Sequence, residues 1–175
     1  MAGNEVVFYQ AVSNDGFITD KSGASTWQGP YFIAELGFHE FIAGVASVIL
    51  ARPIYDRIVA NGSWPYGDIP GIVATDQPLT DFAAPIIAAP DDPAALVAAA
   101  QEARPGLAWI VGDTALATRM ILAGLVTRAE LFVLPLALGS GTEYLAPDTL
   151  AHLDLVDQHT FTNGVVRLTY TRRAT

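Results

Sequence analysis

The segment from Ala108 to Gly141 constrains this chain more than any other part of it. An apolar strand, Ala108-Trp109-Ile110-Val111, runs into Gly112. A helical stretch follows with i,i+4 apolar pairs (Leu116 with Met120, Ala117 with Ile121, Ile121 with Leu125), then a second apolar strand, Leu131 to Leu136, then Gly139-Ser140-Gly141. A strand that enters a glycine and then a helix aims several unpaired backbone N–H groups at one point, which is the local geometry of a phosphate site. The same pattern is also ordinary αβ packing, so alone it speaks for architecture rather than for a ligand.

The rest of the chain repeats that alternation. Strand-like runs fall at Val6 to Val12, Ala46 to Leu50, Gly71 to Ala74, Pro85 to Ala89, Leu107 to Val111, Leu131 to Leu136, Asp154 to Phe161 and Val165 to Thr171. Helical stretches fall near Tyr31 to Ala43, Pro53 to Ala60, Pro93 to Ala103 and Thr114 to Gly124, the third opened by Asp92 as N-cap and Pro93 at the first helical position. Alternating strands and helices imply a largely parallel sheet covered by helices on both faces, an α/β protein. Asn163-Gly164 between the last two runs is a hairpin signal, so the sheet is expected to end in antiparallel strands. No repeat or linker divides residues 1–175, which read as a single domain.

Charge and composition exclude several functions. A formal net charge of -9 with nine Lys and Arg in all argues against a nucleic acid or an anionic membrane as partner, since both need clustered cations. No apolar run approaches the ~20 residues of a membrane helix, and Met1 to Glu5 shows no signal-peptide pattern. With no cysteine there is no thiol chemistry and no disulfide, and the cytoplasm is the expected compartment. His39, His152 and His159 are too scattered for a metal set, so no metal site is expected.

Six short motifs stand in a fixed order. They are Ser13-Asn14-Asp15-Gly16-Phe17-Ile18, Val48 to Asp56, Ile110-Val111-Gly112, Leu122 to Val126, Leu134-Pro135-Leu136-Ala137-Leu138-Gly139-Ser140-Gly141 and Phe161-Thr162-Asn163-Gly164-Val165-Val166. On these motifs the chain resembles the dihydrofolate reductase-like superfamily, most closely the branch typified by the reductase domain of bacterial riboflavin biosynthesis. The resemblance implies a reductase that transfers a hydride from NADPH, with NADH possible, to a C=N or C=O carbon of a small-molecule substrate that is pterin-, pyrimidine- or carbonyl-like. It places the nicotinamide against Ala11, Gly16 and Ile18. The pyrophosphate falls on the helix starts at Arg52 and Ile54 and at Val111, Gly112, Asp113, Thr114, Ala115 and Leu116, and the adenosine end near Thr75 and Asp76. It also implies a homodimer, with the closing hairpin and the Leu131 to Leu136 strand as the contact.

Several positions depart from the family pattern. Where the family has Gly-Arg-x-Thr, this chain reads Ala51-Arg52-Pro53-Ile54, which removes a hydroxyl and one N–H. The second glycine of the usual Gly-Gly is Asp113, a helix cap able to take the place of the pyrophosphate. Thr75-Asp76 replaces the usual Ser/Thr-Arg, and an acid there suits a free ribose 2′-hydroxyl better than a phosphate. Thr127-Arg128 replaces an Asp-Glu. These departures keep a second reading open, a relative of the fold that lost the cofactor and serves as a ligand-binding protein or non-redox enzyme.

On the substrate side, Trp27-Gln28-Gly29-Pro30 matches the Trp-x-x-Pro of dihydrofolate reductases, but Phe32 stands where those enzymes carry the protonating acid. Glu35, one turn along the expected helix, is either a substitute acid or a solvated helix residue. Asp15 is either a proton relay or plain turn chemistry in Asn14-Asp15-Gly16. Trp27, Phe32, Trp64 and Gly139 are the substrate-side candidates, with the two tryptophans equally suited to closing the core.

Overall fold

The structure is a computed structural model, and it describes residues 4–174. The strands are β1 (Val6–Ser13), β2 (Phe17–Thr19), β3 (Val45–Ala51), β4 (Gly71–Ala74), β5 (Ile86–Ala89), β6 (Leu107–Ile110), β7 (Arg128–Leu134), β8 (Thr142–Glu143), β9 (Leu153–Thr160) and β10 (Val166–Arg172). The helices are α1 (Phe38–Gly44), α2 (Arg52–Asn61), α3 (Pro93–Ala103), α4 (Thr114–Leu122) and α5 (Pro147–Leu150). Eight strands form one sheet in the order β5-β4-β3-β6-β1-β7-β10-β9. Within this sheet β10 alone runs against the others among the described residues, pairing antiparallel with both β7 and β9, and every other pairing in it is parallel. The chain is therefore the α/β protein with a closing antiparallel hairpin that its alternation implies.

The inner parallel strands β3, β4 and β6 are largely apolar because both faces are covered. All eight residues of β1 are buried. One core layer packs Val6, Phe8, Ile49 and Ile110 against Leu96 of α3 and Met120 of α4. The other packs Val7, Tyr9, Val48 and Leu50 against Tyr55 of α2 and Phe132 of β7. Asp92 caps α3 as its sequence implies, accepting from the Ala95 N–H at 2.9 Å. None of the described helices is long and apolar enough to cross a membrane.

Two expectations need correction. The helix expected over Tyr31 to Ala43 is broken into 3₁₀ turns at Thr26–Tyr31 and Ala34–Leu36, followed by the short α1. Gly37 causes the break. It sits at φ 73° in the left-handed region, which ends the turn before it and starts the helix after it. Glu35 and Phe32 thus do not share one helical face. The second correction concerns β7, which lies between β1 and β10 with both edges filled. It offers no edge to a partner chain; the free edges belong to β9 and β5. The ribbon of β2 with β8 was not visible as strands in the sequence.

Candidate active site

A cavity of about 500 Å³ opens over the carboxyl half of the central strands, within the ~300–1,000 Å³ of small-molecule sites. Ala11 of β1, whose small side chain keeps the sheet surface low, forms part of its floor, and Ile18 of β2 closes one side. Phe32, Phe38 and Trp109 form an aromatic wall. Phe38 meets both neighbours edge-on, with ring centroids 5.7 Å from Phe32 and 6.1 Å from Trp109. At the far end the cavity reaches Ile54, Val111 and Gly112.

That end is where two helices begin. Gly112 stands at φ 60°, a left-handed conformation that carries the chain from β6 into α4. A Cβ added there would touch only Ile54 Cδ1, at 4.0 Å. The N-terminus of α2 has no side-chain cap, which leaves first-turn N–H groups for a ligand. The N-terminus of α4 is different. Asp113 caps it, Oδ1 accepting from the Leu116 N–H at 2.6 Å, so a carboxylate already sits at the positive end of that helix dipole. Thr114 and Ala115 follow in the first turn, and the Leu116 side chain is fully buried.

Further along the same sheet edge, Arg52 is tied down. Its Nε donates to Asp56 Oδ1 at 2.7 Å, and Nη1 donates to Thr75 Oγ1 at 3.3 Å and to the Pro78 carbonyl at 3.2 Å. Asp76, beside Thr75, is exposed. The residues present therefore suit the nicotinamide and diphosphate of a dinucleotide at the cavity, Gly112 and α2. They do not suit a 2′-phosphate at Asp76.

Asp15 and Gly139 belong together. The Asp15 carboxylate accepts from Ser13 Oγ at 2.7 Å, Leu138 N at 3.0 Å and Gly139 N at 2.7 Å. The Ser13 hydroxyl first, then the Leu138 amide, hold its pKa down at about 2. Asp15 therefore stays ionised and staples the loop after β1, with Gly16, to the loop after β7. Gly141 is needed in the same place. It has φ 154°, and any Cβ there would collide with the Thr19 carbonyl oxygen. This close approach seats β8 against β2 and so positions Ile18.

Of the residues singled out in the sequence, the cavity gathers Ala11, Ile18, Phe32, Ile54, Val111 and Gly112. The others stand outside its lining. Glu35 accepts from Thr162 Oγ1 at 2.7 Å, pinning the closing hairpin rather than facing the cavity. Trp27 Nε1 donates to the Ala24 carbonyl at 3.2 Å, and Trp64 Nε1 to the Ile69 carbonyl at 3.1 Å. Trp64 also packs over Gly71, so it closes the core. Tyr9, Gln10, Gln28, Phe38, Arg57 and Trp109 line the cavity and were missed. Two of them carried a readable signal. Arg57 follows Ile54 by three residues, hence on the same face of α2, and Trp109 precedes Val111 by two, hence on the same face of β6. Tyr9 is a neutral phenol, since burial, then the charge of Glu130, push its pKa well above the ordinary tyrosine value.

No protein-family model matches the sequence. No curated protein matches it either. Solved structures do. A protein assigned to riboflavin biosynthesis from Shewanella sp. PV-4 superposes with a TM-score of 0.77 at 18% identity, covering 97% of this chain and 99% of that one. Dihydrofolate reductase from Enterococcus faecalis, complexed with NADP(H), gives 0.72 at 15% identity over 99% of both chains. A Thermotoga maritima diaminohydroxyphosphoribosylaminopyrimidine deaminase/5-amino-6-(5-phosphoribosylamino)uracil reductase gives 0.70 at 12% identity, covering 97% of this chain and 56% of that one. The chain has the dihydrofolate reductase-like fold, shared with reductases of folate and riboflavin metabolism.

Proposed function

We propose that this chain is a reductase that uses a reduced nicotinamide dinucleotide to reduce a C=N or C=O carbon of a small planar substrate, pterin-, pyrimidine- or carbonyl-like. The observation that carries the reading is the continuity of one cavity from the floor at Ala11 to the left-handed turn at Gly112 beside the uncapped start of α2. Ala11 and Ile18 would hold the nicotinamide, and Gly112 with the first turn of α2 the diphosphate. Bound there, the cofactor supplies the hydride. The chain's own residues supply orientation. Phe32, Phe38 and Trp109 stack or edge against a flat ring and exclude water from it. No carboxylate lines this cavity among the described residues, so in this reading solvent water brings the proton. Asp15 and Glu35 act as staples.

The test is an equilibrium titration with NADH and NADPH, followed by cofactor oxidation against a panel of pterins, pyrimidines and carbonyl compounds. Binding of neither dinucleotide would sink the reading. It would favour the second one, a cofactor-less binding protein of this fold, for which the Asp113 cap on α4 speaks.

The active form in this reading is a homodimer joined along β9. That strand is an open sheet edge with Leu155 and Val156 51% and 57% exposed, and paired edge strands bury such a ladder. Light scattering at micromolar concentration should give twice the 18.6 kDa chain mass, and Val156→Lys should give monomer; monomer for the unsubstituted chain refutes it.

A further inference from the structure

We infer that the ribose end of the proposed cofactor site is built for a free 2′-hydroxyl and against a 2′-phosphate, so that the chain uses NADH, with Asp76 as the selecting residue. The inference rests on the reductase reading above and deepens it. Its starting point is the placement of two strand ends. β3 and β4 are parallel neighbours with Ala51 opposite Ala74, so Arg52 and Thr75-Asp76 leave the sheet side by side at its carboxyl edge. That edge is where open α/β sheets bind ligands.

A cation at this edge would favour a phosphate, and Arg52 is the cation present. It is already spent. Its Nε holds Asp56 at 2.7 Å as an i,i+4 ion pair, and Nη1 divides between Thr75 Oγ1 and the Pro78 carbonyl. Thr75 is 9% exposed, and its Oγ1 accepts from both Arg52 and the Gln77 N–H at 3.1 Å, so that hydroxyl holds the loop together. Asp76 and Gln77 are both exposed at this corner, and Asp76, the charged one of the two, has no hydrogen bond or ion pair among the described residues. Arg52 and Asp56 cancel, and Asp76 leaves one net negative charge. A carboxylate accepts from a ribose hydroxyl, and it repels a phosphate. Asp113, at the diphosphate end, weighs on NADH and NADPH alike and does not alter the choice.

Between exposed charges about 4 Å apart the repulsion lies at the low end of the Coulomb range, which corresponds to about fivefold in affinity. The experiment is calorimetric titration of the full chain with NADH, NADPH, ADP-ribose and 2′-phospho-ADP-ribose, for the unsubstituted protein, Asp76→Arg and Asp56→Asn. The expected result is about fivefold tighter binding of NADH than NADPH, with the same ratio for the two fragments. Asp76→Arg should reverse the ratio. Asp56→Asn, which frees Arg52 beside the helix start that faces the diphosphate, should tighten both dinucleotides and NADPH by the larger factor. Asp76 is on the surface, so circular dichroism should report both variants folded. Tighter binding of NADPH to the unsubstituted chain, or a ratio that Asp76→Arg does not move, overturns the inference while leaving the reductase reading standing. Binding of neither dinucleotide ends both.

Discussion

Removing the Asp113 carboxylate should move stability and cofactor affinity in opposite directions. In the folded chain Oδ1 accepts from the Leu116 N–H at 2.6 Å at the start of α4. Replacing an Asp N-cap by Ala costs about 1 kcal/mol, within a range of roughly 0.5–2, and the lost favourable interaction with the helix dipole adds about 0.3–1. At ~2.1 cal/mol/K per residue, the unfolding entropy of 175 residues is about 0.4 kcal/mol/K. Asp113→Ala should therefore lower Tm by about 3–5 °C, well within the ~5–15 kcal/mol that a domain possesses. If the diphosphate lies between α2 and α4, the same change removes a repelling charge and frees an N–H for phosphate. NADH should then bind severalfold more tightly. A ligand at a hundred times its Kd stabilises by about 2.7 kcal/mol, about 7 °C on the same entropy, so at one fixed NADH concentration the Tm rise should be larger in the variant. Differential scanning calorimetry with and without NADH reads both effects. An unchanged Tm in the free protein would show that the cap contributes nothing. A smaller NADH-induced rise in the variant would place the diphosphate away from α4.

Three further outcomes are expected. The Asp15 carboxyl has its pKa lowered from 3.8 to about 2 in the folded chain, so its stabilisation is complete above about pH 4 and is lost as pH falls through 2. Asp15→Asn should remove that part of the acid-unfolding slope measured by circular dichroism, and an identical slope would mean that the staple to Leu138 and Gly139 does not form. Gly141→Ala should destabilise more than Gly139→Ala, because its Cβ meets the Thr19 carbonyl whereas nothing lies within 4 Å at Gly139. Backbone strain of this kind costs about 1–3 kcal/mol, and equal Tm losses in the two variants would contradict the close approach of β8 to β2. Dihydrofolate should not be turned over at a useful rate, because Phe32 stands in the cavity wall and no carboxylate lines it among the described residues, and general-acid help is worth about 10²–10⁴-fold; robust oxidation of NADH or NADPH with dihydrofolate would contradict this.

The layers of the fold were legible because parallel strands must be apolar on both faces and helices on one, and β1, β3 and β6 with α3 and α4 follow those periods closely. Gly112 and Asp113 were legible for a related reason. A left-handed turn wants glycine, and a helix start wants a short acid, whatever the rest of the chain does. What failed was local pattern overruled by one residue. The apolar residues from Tyr31 to Ala43 have helical spacing, but Gly37 in the left-handed region splits them, and Glu35 with them turns away to Thr162. Asp15 read as a turn residue ahead of a proton relay, but its role as a staple was hidden, since its partners Leu138 and Gly139 lie more than a hundred residues along the chain and enter only through tertiary structure.

The helix α2 shows how closely the two halves of the proposed site are coupled. Its spacing divides four residues between two tasks. Ile54 and Arg57, three apart, face the cavity, while Arg52 and Asp56, four apart, clamp each other at the neighbouring strand end. Pro53 sits in the first turn, where its missing N–H costs the helix no internal bond but removes one donor from any phosphate held there. The helix start thus lacks a hydroxyl at Ile54 and a donor at Pro53, and Arg52 is neutralised by Asp56, which leaves Arg57, whose Nη1 donates to the Gly23 carbonyl, as the arginine in the cavity lining. Each change subtracts from phosphate recognition and none narrows the cavity. That pattern is expected of a site that relies on enclosing a planar ring more than on gripping an anion. In the proposed reading the larger share of binding energy falls on Ala11, Phe38 and Trp109, where ring area would be buried, and the smaller share on the helix starts.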